Sequence, residues 1–242
     1  MPAGLIYDEA KEQAANSHTT TSAEWQTSDI IGKHLHEFKR LPRREGNYAP
    51  IIFWLARGYF EKNDCANMQS EGLFRLACSI NDLFCLEMHM AFGNYSYIET
   101  VKNPHVVSNY LKRVLREMKE PLIPFAQYVE YGKLNEIAEE GARVRRIREL
   151  VNEMDDLRKQ TLKFLMSFFR QVVALEAKNK MTSYNIAVTT SPCIFRPRVM
   201  RADDLYKHAI YYDALLKMIQ YHDAIFNDQE VEMDTGDNLR HG

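Results

Sequence analysis

Apolar residues recur three and four positions apart through most of the chain, the spacing that lines one face of an α-helix. Behind Pro50, which suits a helix start, Ile52, Leu55, Ala56, Tyr59 and Phe60 make the first such stripe. Ser79 followed by Asp82 resembles a capping box that opens a second helix, which should stop near Gly93. Asn103-Pro104 combines a cap with proline at the first helical position. Val107, Tyr110, Leu111, Val114 and Met118 then form a buried stripe, and Pro121 prevents the helix from continuing. Val144, Ile147, Leu150 and Val151 mark another helix. Leu162, Leu165, Phe169, Val172 and Val173, with Phe168 beside them, mark a long one, and Leu205, Ala209, Tyr212, Leu216 and Ile219 the last. No stretch alternates apolar and polar residues between turn signals as a strand would, and no repeat is visible. The pattern predicts a single all-α domain of about seven to nine helices.

The ends read differently. Residues 1–28 are polar and rich in Thr, Ser, Ala and Gln, with a loose helix expected over Asp8 to Asn16 and a linker at Thr19-Thr20-Thr21-Ser22. Residues 228–242 are polar, mildly acidic and aperiodic. Flexible segments are therefore expected at 1–28 and 228–242, flanking a helical domain over 29–227. Of the 242 residues, 45% are hydrophobic, enough for a sizeable core, and a formal charge of -2 gives no global pull toward nucleic acid or anionic membrane. No apolar run is long enough to span a bilayer. The start, Met1-Pro2-Ala3-Gly4-Leu5, lacks the basic and apolar blocks of a secretory signal. Cys65, Cys78, Cys85 and Cys193 show no paired spacing of a metal or redox site, and His34 and His36, two apart, do not share a helix face. A cytoplasmic protein with reduced thiols and no bound metal is expected.

The common catalytic motifs are missing. There is no phosphate-cradling loop ending in Lys-Ser or Lys-Thr, no dinucleotide fingerprint, no Gly-x-Ser-x-Gly elbow and no His-Glu-x-x-His. Three other segments carry the signal: Glu71-Gly72-Leu73-Phe74-Arg75, Leu111-Lys112-Arg113-Val114-Leu115-Arg116-Glu117 and Asn179-Lys180-Met181-Thr182-Ser183-Tyr184-Asn185. In this order, separated by helical spacers, they resemble the signature of Rho-family GTPase-activating domains, over about Ile31 to about Phe226.

The resemblance implies an activator that supplies an arginine in trans to a Rho-, Rac- or Cdc42-type GTPase in its GTP-bound state. It is not an enzyme with a nucleotide site of its own, and GTP and magnesium belong to the partner. Arg75 matches the arginine finger. Lys112 and Arg116 match the basic positions of the GTPase-binding face, with Arg116 also helping to hold the finger loop. Asn185 matches the asparagine placed against the partner's switch region. On spacing alone Lys112 and Arg116 fall opposite the buried stripe, toward solvent, where the neighbouring like charges are eased by Arg113 with Glu117 and Arg116 with Glu120. Asn185, just behind a cap at Thr182 or Ser183 in a helix that Pro192 helps to end, could equally bond its own backbone.

The sequence departs from the family in two places. Glu117-Met118-Lys119-Glu120-Pro121-Leu122 has Lys119 where relatives have proline, which should let the preceding helix run slightly further. Ser191-Pro192-Cys193 stands where relatives read Gly-Pro-Thr or Gly-Pro-Asn. Two other functions compete: a non-catalytic GTPase-binding module of the same fold, and an acidic-lipid adaptor using Arg143, Arg145, Arg146 and Arg148. The arginine cluster lacks interleaved aromatics, which weighs against nucleic acid.

Overall fold

The computed structural model describes residues 31–40, 49–199 and 204–227. The expected helix over 8–16, the linker at 19–22 and the tail from 228 lie outside the described residues. Among the described residues there are ten α-helices and no strand, only an isolated bridge between Arg40 and Pro50. Eight of the helices have eight residues or more, within the expected seven to nine: α1 (Ile51–Cys65), α2 (Ile80–Ala91), α3 (Pro104–Arg116), α4 (Phe125–Gly132), α5 (Glu140–Asn152), α6 (Asp156–Ala174), α8 (Ser183–Ile194) and α9 (Asp204–Gln220). Two short ones complete the set, α7 (Glu176–Asn179) and α10 (His222–Phe226). No helix among the described residues is long and apolar enough to cross a membrane.

The stripe on α1 is buried as its spacing requires: Ile52, Leu55, Ala56, Tyr59 and Phe60 are all nearly inaccessible. Pro50 caps this helix, Ser79 accepts a hydrogen bond from the Asp82 amide at the start of α2, and Asn103 accepts one from the His105 amide at the start of α3. The Ser79 and Asn103 side chains satisfy amides that have no partner within the helix, while Pro50 offers its backbone carbonyl to the Phe53 amide. On α9 the buried face is Tyr211, Ala214, Leu215, Met218 and Ile219, with Tyr212 and Leu216 at its margin and Ala209 exposed. The face is rotated by about one position from the expected one, because α9 packs on α8 and α6 at once and must bury a broader arc. The Leu205 side chain lies outside the described residues.

Two helix ends differ from expectation. α3 stops at Arg116, well before Pro121, and Glu117 closes its last turn by donating its amide to the Arg113 carbonyl. The lysine at 119 therefore does not lengthen the helix; its amide donates to the Lys33 carbonyl instead. Pro192 sits inside α8 rather than ending it, two residues before the last helical position.

The end of α1 determines where the next segment goes. Lys62 is extended, and Asn63, Asp64 and Cys65 then all adopt left-handed backbone, φ 50°, 53° and 59°. Each such residue costs about 1–2 kcal/mol. The reversal is held by Asn67 donating to the Tyr59 carbonyl (3.1 Å) and Gln69 donating to the Asp64 carbonyl (3.0 Å). It turns the chain back across the core into the loop that carries the candidate site.

Candidate functional site

That loop, residues 70–79, joins α1 to α2 and is anchored by what it buries. Leu73 and Phe74 are almost inaccessible. The Phe74 ring packs among Phe60, Phe168 and Phe169, with centroid separations of 6.3, 6.1 and 5.4 Å. Phe74 has left-handed backbone (φ 64°), a conformation that costs a side chain and persists only where packing enforces it. Gly72, at φ 73°, has no such cost, and a Cβ there would lie 2.7 Å from Cγ of Leu76. Between the sunken Phe74 and the half-exposed Leu76, Arg75 is exposed, with Nη2 lying 3.6 Å from where a Cβ of residue 72 would be.

The main chain of the loop is held at several points. The Gly72 carbonyl accepts from the amides of Arg75 (3.0 Å) and Leu76 (2.9 Å), and the Gly72 amide donates to the Asn179 carbonyl (2.8 Å). From α3, the Lys112 ammonium donates to the Phe74 carbonyl (2.5 Å) and the Asn109 amide group to the Leu76 carbonyl (2.8 Å). Lys112 is half-buried, and its desolvation draws the ammonium pKa below the ordinary lysine value. This corrects the expectation of a solvent-facing Lys112: its charge is spent on the loop.

Arg116 is exposed, 54% at the side chain, and its guanidinium donates to Glu117 (3.3 Å). The contacts expected of it on the loop come from Lys112 and Asn109 instead. The expected pairs along α3 do not form. Arg113 reaches Glu87 on α2 (3.0 Å), and Glu120 takes Arg158 of α6 (2.5 Å). Glu117 and Glu120 lie beyond the last helical residue, where four-residue spacing no longer places side chains together.

Asn185 lies in the first turn of α8. Its amide donates to Oγ1 of the capping Thr182 (3.2 Å), and its side-chain Nδ2 to the Lys180 carbonyl (3.1 Å). The local backbone bond is thus made, and the Oδ1 atom meets no donor among the described residues. Tyr184 and Val188, exposed neighbours on the same helix, flank it. Leu76, Ile80 and Phe84, which follow Arg75 along the chain into α2, are exposed as well.

Two further side chains hold the site. Asn179 has no exposed surface, and its side chain joins three elements. Nδ2 donates to the carbonyls of Met68 (3.1 Å) and Val172 (2.7 Å), and Oδ1 accepts from the Met181 amide (2.8 Å). Through its own carbonyl it also holds Gly72. The left-handed Lys180 that follows Asn179, at φ 60°, is evident only in the structure, so the sequence offered no signal for this role. Asn109 was legible only as a polar position one turn before Lys112. The arginines of α5 are engaged internally: Arg143 with Asp213 (3.1 Å), Arg145 with Glu139 (3.0 Å), and Arg146 with Glu130, Glu149 and Glu153.

Similarity to known proteins agrees with this arrangement. SH3 domain-binding protein 1 of Homo sapiens is 34% identical over 136 residues, 56% of this chain and 19% of that protein. Rho GTPase-activating protein 24 of Homo sapiens is 27% identical over 215 residues, 87% of this chain and 28% of that protein. The chain thus spans between about a fifth and just over a quarter of the length of these relatives. In fold, it superposes on the crystal structure of human Rho GTPase activating protein 15 with a TM-score of 0.70 at 19% identity, covering 85% of this chain and 100% of that one. The RhoGAP domain model matches residues 50–199, which hold the loop, α3 and α8 together. By that match the chain belongs to the RhoGAP domain family.

Proposed function

We propose that this domain switches off a Rho-, Rac- or Cdc42-type GTPase by lending Arg75 to its active site and accelerating hydrolysis of the bound GTP. The observation that carries the reading is an exposed guanidinium on a loop anchored by the buried Leu73 and Phe74, with the carbonyls on both sides of Arg75 bonded from α3. In phosphoryl transfer, negative charge spreads over the transferring group and the leaving oxygens. A planar guanidinium brought to that charge in a water-excluded site stabilises the transition state more than bound GTP. An arginine supplied this way is worth about a thousandfold to a hundred-thousandfold in rate, roughly 4–7 kcal/mol of barrier. A loop already in place means that little ordering is left to be done on docking.

The remaining residues take supporting roles. Lys112 fixes the loop from behind. Arg116, exposed on α3, meets acidic groups of the partner. Asn185 presents Oδ1 beside Tyr184 and Val188 to the partner's switch region, ordering the segment that positions the attacking water. Leu76, Ile80 and Phe84 give the docking face an apolar margin. GTP and magnesium come with the partner, and the domain acts in the cytoplasm or wherever the partner is membrane-bound.

Single-turnover hydrolysis by a panel of Rho-, Rac- and Cdc42-type proteins tests the reading. Arg75→Ala should lose about a thousandfold or more of the acceleration while retaining most of its affinity for the GTP-bound partner. Equal acceleration by wild type and Arg75→Ala would refute the finger, and binding with no acceleration by either would leave a pure binding module. The lipid-adaptor alternative is weakened by the internal pairing of Arg143, Arg145 and Arg146. Salt-sensitive sedimentation with anionic vesicles would revive it.

A further inference from the structure

We propose that Asn109 is a positioning residue for the arginine finger, acting through the main-chain carbonyl of Leu76; this rests on the reading of Arg75 given above. The carbonyls one residue to either side of Arg75 are both held from α3, Phe74 by Lys112 and Leu76 by Asn109, three positions apart on one helix. A loop held at one point can pivot about it. Held at two points that bracket Arg75, it fixes the direction in which the Arg75 side chain leaves the backbone.

The two sides of the bracket are not equivalent. On the Phe74 side the chain is also fixed by a buried ring. On the Leu76 side, Leu76 is 44% exposed and Ala77 is exposed as well. There the restraints are the Leu76 amide bonded to Gly72 and the Asn109 side chain.

The chemistry of asparagine fits the task. Its NH2 group carries two protons. One is donated to the His105 carbonyl a turn back on α3 (2.8 Å), which fixes the rotamer, and the other is thereby presented to the loop (2.8 Å). The group is neutral, so it holds the backbone without adding a second cation beside the guanidinium. Lysine or arginine at 109 would repel Arg75, and aspartate, of the same shape, can only accept.

The test is single-turnover hydrolysis with a responsive Rho-family GTPase at increasing domain concentration, for wild type, Asn109→Ala, Asn109→Asp, Asn109→Gln and Arg75→Ala. Alanine and aspartate should lower the saturating rate about tenfold to a hundredfold, the scale set by small misplacements of a catalytic group. The half-saturating concentration should move by less than about twofold, the contact surface being intact, and glutamine should recover part of the rate. In the free domain, 15N relaxation of the Arg75 and Leu76 amides should report greater mobility in Asn109→Ala, with helix amides of α3 unchanged. Wild-type saturating rates for both Asn109→Ala and Asn109→Asp, with Arg75→Ala inactive, would overturn the assignment while leaving the finger in place. A raised half-saturating concentration at an unchanged saturating rate would also overturn it, showing a docking residue. Full activity of Arg75→Ala would remove the finger and this proposal together.

Discussion

Asn179→Ala offers the sharpest check on how the loop is held. The substitution removes three side-chain hydrogen bonds, to Met68, Val172 and Met181, and leaves the Gly72 contact to the residue 179 carbonyl available. All three partner residues are at most 1% exposed, so water does not readily replace the lost amide. At about 1 kcal/mol net per bond the loss is about 3 kcal/mol, and dry orphaned groups raise it toward about 5. For a domain of this size, with a slope of about 2–3 kcal/mol per molar in urea, the unfolding midpoint should fall by about 1–2 M. Asn179→Asp adds a sign test. A carboxylate there would face two carbonyl oxygens, so its pKa in the folded state must rise. The protonated side chain is compatible with folding at low pH, and that compatibility is lost as pH rises through the folded-state value. Asn179→Asp should therefore be worse than alanine at pH 7 and recover relative to it on acidification, read as urea midpoints at two pH values. A midpoint shift in Asn179→Ala worth less than about 1 kcal/mol, or an aspartate milder than alanine at pH 7, would refute the hub.

Further outcomes follow from the same contacts. Phe74→Ala should cost about 3–5 kcal/mol through the emptied aromatic cluster, and Phe74→Gly should cost about 1 kcal/mol less than alanine because φ is positive there, measured by chemical denaturation. Gly72→Ala places a methyl against Leu76 at an unfavourable φ. It should lower the stimulated hydrolysis rate about tenfold or more while reducing stability by only about 1–2 kcal/mol. Tyr59 donates to the Val101 carbonyl (2.9 Å), and burial pushes its phenol up to about 12. The unfolded phenol ionises near pH 10, as usual for tyrosine. Between these values the folded state binds the extra proton, so its contribution to stability falls as pH rises, by about 1.4 kcal/mol per pH unit. Tyr59→Phe should flatten that segment of the stability profile between about pH 9.5 and 11.5.

The features that the sequence carries and those it conceals divide along physical lines. The α1 stripe, the caps at Ser79, Asn103 and Thr182, and the approach to Gly93 are set by interactions within a few residues, and each is found. The charges of α3 misled because their partners are distant in sequence. Glu87 on α2 takes Arg113, and Arg158 on α6 takes Glu120. Lys112 was expected to point outward because helix spacing says nothing about a loop arriving from thirty-eight residues earlier to offer its Phe74 carbonyl. The helix over Phe125–Gly132 escaped notice because it is short and carries only a brief apolar pattern. Arg75 was singled out by the resemblance carried at Glu71-Gly72-Leu73-Phe74-Arg75, whereas Asn109 and Asn179 act through main-chain atoms that no side-chain pattern records.

A segment gripped by its carbonyl oxygens does not depend on the identity of every side chain it carries. Leu76 and Ala77 project from backbone that Asn109 and Gly72 already restrain. Those two positions form a natural place for diversification. A library randomised there should yield folded domains with Arg75 undisturbed, sorted by which GTPase they engage, so recognition could be retuned without rebuilding the chemistry.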